Sequence, residues 1–173
     1  MRKRLAKFGV ELHAEKTRLI EFGRFAAANR KQRGAGKPET FTFLGFTHFC
    51  GRTAHAGVFT VWRITAKKRM VAKLKALKLE LQRRKHEPTR ETGAWLRKVV
   101  LGYYRYHAVP GNLPQLSVFW RRTCRLWRNV LVRRSQRARV SWERLFPILD
   151  RWIPQPRVLH PYPDARFAAT HPR

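Results

Sequence analysis

The sequence predicts an α+β chain that is mainly α, with a small N-terminal β-hairpin followed by a basic helical bundle. Three observations lead there. The run "PETFTFLGFTHFCG", Pro38 to Gly51, is apolar, β-leaning and free of Lys and Arg, in a chain with 39 Lys and Arg against 10 Asp and Glu. From Thr65 onward the apolar period changes to spacings of three and four. The chain's 173 residues, 43% hydrophobic, supply a core for one domain, or for one small domain with an appended segment.

In chain order, "RKRLAKFGVELH" begins as a short helix ending near Gly9, because Leu5 and Phe8 share a face and glycine suits the residue just past a helix end. Thr17 to Phe22 reads as a strand with Leu19 facing inward. "ANRKQRGAGKPE" combines four Lys or Arg with three Gly or Pro and reads as a mobile basic loop. Thr40 to Phe49 alternates β-branched and aromatic residues, and Gly45 permits a bend within it. After "GRTAHAG" the run "VFTVWRI" returns as the second arm of a hairpin with a longish tip.

The first long helix carries Met70, Leu74, Leu77 and Leu81 on its apolar stripe, with Lys67, Lys68, Lys73, Lys75, Lys78 and Arg83 around it, and stops before Pro88. "PTRETGAWLRKVVLGYYRYHAVPGN" gives the second, with Leu96, Val99, Val100 and Tyr103 inward and Pro110-Gly111 as its close. "LPQLSVFWRRTCRLWRNVLVRRSQ" gives the third. Its stripe runs through Leu116, Phe119 or Trp120, Thr123, Leu126 or Trp127, Val130 and Leu131, and the i, i+7 spacing of Trp120 and Trp127 assigns both to the interior. A short helix with Ser141 as N-cap precedes a Pro-punctuated tail expected to lie extended on the surface. The divisions are 1–64 for the β element, 65–150 for the helices and 151–173 for the tail.

A net charge of +29 repels itself unless it faces a polyanion, and nucleic acid is the partner this implies. A membrane surface is the competing polyanion. No apolar run approaches the roughly 20 residues of a span, the basic N-terminus lacks the apolar core of a secretory signal, and Cys50 and Cys124 are far apart, so the chain reads as cytoplasmic and without membrane contact.

Catalytic signatures are sparse. Metal-dependent polymerases and nucleases cluster carboxylates around paired divalent ions. Here the aspartates are Asp150 and Asp164 alone, and the glutamates are scattered. His48, Cys50 and His55 offer three zinc-type donors without a partner pair, so they read as hairpin side chains. Glu11 with His13 reads as a solvated loop. No self-sufficient active site emerges, and the chain is expected to be no enzyme by itself.

Arginine and lysine interleaved with rings are abundant in "WLRKVVLGYYRYH", "FWRRTCRLWRNVLVRR" and "RVSWERLF". Guanidinium groups meet phosphates, and rings can stack on unpaired bases. The candidate RNA-binding residues are Lys67, Lys68, Lys73, Lys75, Arg97, Lys98, Tyr104, Arg105, Tyr106, Arg121, Arg122, Arg125, Arg128, Arg133 and Arg134.

The order "FGVELHAEKTRLIEFG", basic loop, "FTFLGF", then basic helices with "GYYRYHAVPGN" and "RRSQ" resembles the C-terminal half of a bacterial group II intron reverse transcriptase over essentially the whole chain. The "EKTRLIEFG" and "FLGF" blocks resemble that family's last palm-proximal motifs, and the helices its thumb, also called the maturase domain or domain X. The resemblance implies a palm remnant with its FLGF hairpin over 1–64 and a thumb over 65–150. It implies Lys16 near the primer or incoming nucleotide, with Leu44, Gly45 and Phe46 as primer grip. It also places a "YADD"-type catalytic block ahead of "FGVEL", where this sequence has only a few residues, so a truncated or split intron-encoded protein is expected. Such a chain would bind structured RNA, group II intron RNA by resemblance, and support its folding and splicing. It would use no cofactor, with Mg²⁺ entering only if a separate polymerase half completes it. The alternatives are a thumb subunit joining a separate fingers-palm polypeptide to make an RNA-directed DNA polymerase, a non-functional remnant, and a generic basic ribonucleoprotein component.

Overall fold

Among the described residues nine elements follow one another: helices α1 (Arg2–Ala6) and α2 (Ala26–Gln32), strands β1 (Phe41–Phe43), β2 (Phe46–Arg52) and β3 (Phe59–Thr65), and helices α3 (Lys67–Arg83), α4 (Thr89–His107), α5 (Leu113–Val132) and α6 (Trp142–Trp152). They come from a computed structural model that describes residues 2–13, 17–53, 56–134 and 141–162. The fold is mixed α+β and mainly helical, and its strands form one antiparallel sheet in the order β1-β2-β3. Two compact units divide the chain, one of Met1–Phe41 and Phe49–Val61, the other of Thr42–His48 and Trp62–Arg173.

In the first unit α1 ends as expected, with Gly9 at φ +67° and the Val10 N–H donating back to the Leu5 carbonyl. Two expectations fail there. Thr17 to Phe22 is coil rather than strand, and Leu19 is fully exposed. The alternation is too short to bury a face, and the segment is fixed instead at its end, where Phe22 meets Phe41 edge-on at 5.0 Å. The basic loop begins with helix α2, because Ala26 to Ala28 and Arg30 to Gln32 are good helix formers and the breakers Gly34, Gly36 and Pro38 follow only afterwards.

The second unit holds the core. Met70, Leu74, Leu77 and Leu81 of α3, Leu96, Val100 and Tyr103 of α4, and Leu116, Phe119, Trp127 and Val130 of α5 form one buried cluster, closed by Leu145, Leu149 and Ile153 at α6. Of the alternatives on α5, Phe119 and Trp127 are the fully buried ones. Trp120 is half-buried against the cluster and donates its indole N–H to the Ile153 carbonyl. Tyr103 stacks on Phe119 at 3.8 Å. Gly93 brings α4 against α6, since a Cβ there would stand 2.7 Å from the Trp152 ring.

A buried polar knot joins three elements of this unit. Asn112, the residue before α5, accepts from the Thr65 backbone N–H at 2.9 Å and donates to the Thr65 hydroxyl and the His107 carbonyl at 2.8 and 2.7 Å. After α6 the described part of the tail, to residue 162, has no regular secondary structure and is tied down: Tyr104 donates to the Pro154 carbonyl, and the Leu159 and His160 N–H groups both donate to the Ala108 carbonyl.

Candidate nucleic-acid interface

The apolar stripes that form the core leave the cations on the outer faces of the helices. Lys67, Lys68, Lys73 and Lys75 of α3, Arg97, Lys98 and Arg105 of α4, and Arg121, Arg122 and Arg125 of α5 are all solvent-exposed, as are Arg133 and Arg134 just beyond α5. Among the described residues of this unit, only Arg83 and Arg84 form ion pairs, with Glu80 and Glu87. The remaining described cations of the unit take part in no ion pair. α3 opens with Lys67, Lys68 and Arg69 and no acid in its first turn. These charges stand where the helix dipole is already positive, at a cost of about 0.3–1 kcal/mol each, which an anion would relieve.

Some candidates have structural duties. Arg97 donates to the Arg151 carbonyl, Arg121 to the Ser117 carbonyl, and Arg134 to the Thr89 hydroxyl. Arg128 is half-buried and lies over the Trp142 ring at 4.7 Å. Tyr104 must be removed from the interface: it is 2% exposed, a core ring whose hydroxyl is spent on Pro154. Tyr106, two residues further on and on the other side of the helix, is half-exposed. Lys16, His55 and the residues from Asp164 on lie outside the described residues.

The FLGF segment is not a bent strand but a tight two-residue turn between β1 and β2. Leu44 has φ +46° and Gly45 φ +78°, the paired positive values of a type I′ hairpin turn. Glycine takes this conformation freely, whereas leucine pays about 1–2 kcal/mol. Three contacts hold the turn: Tyr106 donates to the Leu44 carbonyl at 2.6 Å, the Ala66 N–H donates to the Gly45 carbonyl at 2.9 Å, and Phe46 stacks on Tyr106 at 5.6 Å. Phe43, Leu44 and Tyr106 remain largely exposed on its outer side. Four of the sequence candidates, Leu44, Gly45, Phe46 and Tyr106, therefore come together in one fixed structure.

Beneath the turn sits His107, which the sequence did not single out. It packs against Phe46 and Tyr103, with Nδ1 3.4 Å from the Thr65 hydroxyl, and burial pushes its pKa down to about 4. Burial likewise raises the Tyr103 hydroxyl and the Cys124 thiol to about 12, so neither ionises near neutrality. Glu11 and His13 are exposed on the coil after α1. No group of three or more His, Cys, Asp or Glu among the described residues could hold a metal ion, and Glu21, Glu39, Glu80 and Glu87 are engaged by arginines. Among the described residues no helix is long and apolar enough to cross a membrane. No protein-family model matches the chain, and neither a curated protein nor a solved structure matches it.

Proposed function

We propose that this chain is a cytoplasmic RNA-binding module of the maturase type, whose helical unit grips structured RNA, group II intron RNA by sequence resemblance, and supports its folding and splicing without a catalytic centre of its own. The observation that carries the reading is the array of uncompensated cations on the outer faces of α3, α4 and α5. Phosphate binding explains why so much like charge is kept on one fold. The ordered blocks "EKTRLIEFG", "FLGF" and "GYYRYHAVPGN" support the choice of RNA. The test is binding of the purified chain to a group II intron RNA and to an unrelated structured RNA of equal length. A preference for the intron RNA persisting at about 150–200 mM salt, where charge attraction is weakened, supports the reading. Equal binding to both defeats it.

A second reading, completion of an RNA-directed DNA polymerase with a separate fingers-palm chain, is favoured by the braced Leu44-Gly45 turn with its exposed Phe43 and Tyr106. Primer extension that requires both chains is its test.

A further inference from the structure

A groove of about 400 Å³ runs between α3 and α5. Its floor is aliphatic, made by Val71 and Leu74 from one helix and Leu126 from the other. Each rim carries two cations, Lys75 and Lys78 on α3 and Arg122 and Arg125 on α5. All four are exposed and the groove's lining contains no acid. Among the described residues none of the four takes part in an ion pair, because Glu80, the nearest acid on α3, is taken by Arg83 and Arg84.

We propose that this groove receives one unpaired nucleotide of a bound RNA, its base lying on Val71, Leu74 and Leu126 and its flanking phosphates on Lys75, Lys78, Arg122 and Arg125. The inference rests on the RNA-binding reading above and specifies what the helical surface recognises. Three features select this occupant. Facing pairs of uncompensated cations call for a ligand with at least two negative charges, one on each side. An apolar strip between them calls for a flat, weakly polar group carried on the same backbone as those charges, as a base is carried on its sugar between two phosphates. The volume lies near the lower end of the roughly 300–1,000 Å³ typical of ligand sites, which suits one nucleotide better than a peptide helix. Residues three apart on a helix face stand about 5–6 Å from one another, so each rim presents its two cations side by side to the backbone of a single nucleotide step.

A fully paired duplex can use the rims but not the floor, because its bases stay stacked in the helix. The groove thus adds a preference for a bulge or looped-out base to the non-specific attraction of the surrounding cations. That preference is independent of which base is presented, since Val71, Leu74 and Leu126 offer no hydrogen bonds.

The test uses the full chain and two short RNA duplexes, one with a single bulged 2-aminopurine and one with the same base paired, at about 150 mM salt where non-specific attraction is reduced. The bulged RNA is expected to bind about tenfold tighter, and its 2-aminopurine emission to change on binding. The double variant Val71→Gln, Leu126→Gln keeps every charge and the helix propensity while making the floor polar. It is expected to bring the bulged RNA to within about twofold of the paired one and to abolish the emission change. Circular dichroism establishes that its helices are intact, and the single variant Leu126→Gln serves if the double variant does not fold. Equal affinity of the unaltered chain for the two RNAs, with steep salt dependence, overturns the groove assignment alone. So does a preference that survives the floor substitutions. Weak, salt-insensitive binding of both RNAs overturns the RNA-binding reading itself.

Discussion

Around α2, three arginines share two acids: Arg18 and Arg30 reach Glu39, and Arg30 and Arg33 reach Glu21. In the helical unit the balance is reversed. Inside, Thr65, Asn112 and His107 bond to one another, while outside Arg83 and Arg84 are the only described cations of the unit held in ion pairs. Exposed ion pairs contribute only about 0–1 kcal/mol each, so the first unit gains little stability from them. What they do is cancel charge. The helical unit keeps its charge uncancelled and bears the self-repulsion, which is the behaviour of a surface held for a polyanion. The difference teaches that net charge alone is a blunt guide, and that the position of the few carboxylates decides which arginines are free.

The largest expected effect comes from the interior of the helical unit. Asn112→Ala removes three side-chain bonds and leaves the buried Thr65 N–H without an acceptor, at about 2–4 kcal/mol, measurable by denaturant unfolding followed through the helical signal. A loss below about 0.5 kcal/mol would break the claim that this knot organises the unit.

The next effect bears on the surface contrast directly. Arg121→Gln, Arg122→Gln and Arg125→Gln together are expected to weaken RNA binding about tenfold or more and to lower the salt slope by about 2–3. Arg30→Gln with Arg33→Gln, which removes cations already paired with Glu21 and Glu39, is expected to change affinity less than about threefold. Equal losses from the two sets would erase the distinction between the units.

A third effect depends on pH. His107 is held neutral by burial with its pKa lowered to about 4 from an ordinary 6.5, so the unfolded chain takes up the proton first. The fold keeps it neutral down to about pH 4 while the unfolded chain takes up its proton below about 6.5, so stability is undiminished above about 6.5 and is lost as the pH falls from there through about 4. The thermal midpoint of the helical signal should therefore drop between pH 7 and pH 4.5, and His107→Gln should flatten that drop. The smallest effect is Glu21→Gln, expected to cost under about 1 kcal/mol because the arginines it meets are exposed or only part-buried.

Much of this was readable from residues in order. The stripe from Met70 to Leu81 and its counterparts on the next two helices give the bundle directly, because a spacing of three and four buries one face and leaves the lysines and arginines on the other. The β2–β3 hairpin is equally plain in its two β-branched and aromatic runs. What failed has local causes. The alanines of α2 were outweighed by the glycines and proline behind them, although those residues end the helix rather than prevent it. The strand expected at Thr17 to Phe22 had the pattern but no face to bury. The tight turn at Leu44 was hidden because leucine rarely adopts a positive φ, and only the bracing by Tyr106 and Ala66 explains it here. Tyr104 and Tyr106 look alike in sequence, yet about 200° of helical rotation puts one in the core and the other outside. The groove was legible only in part: Lys75, Arg122 and Arg125 were named from charge, while Lys78 and the aliphatic floor became part of a site only once α3 lay beside α5.

The most direct test of the central claim is the salt dependence of RNA binding by the full chain. With about six phosphate contacts from the helical cations, log K should fall against log salt with a slope near −4 to −5, and the Arg121, Arg122 and Arg125 substitutions should reduce it while those at Arg30 and Arg33 leave it in place. A flat salt response, or a slope that depends on Arg30 and Arg33 instead, would contradict the account.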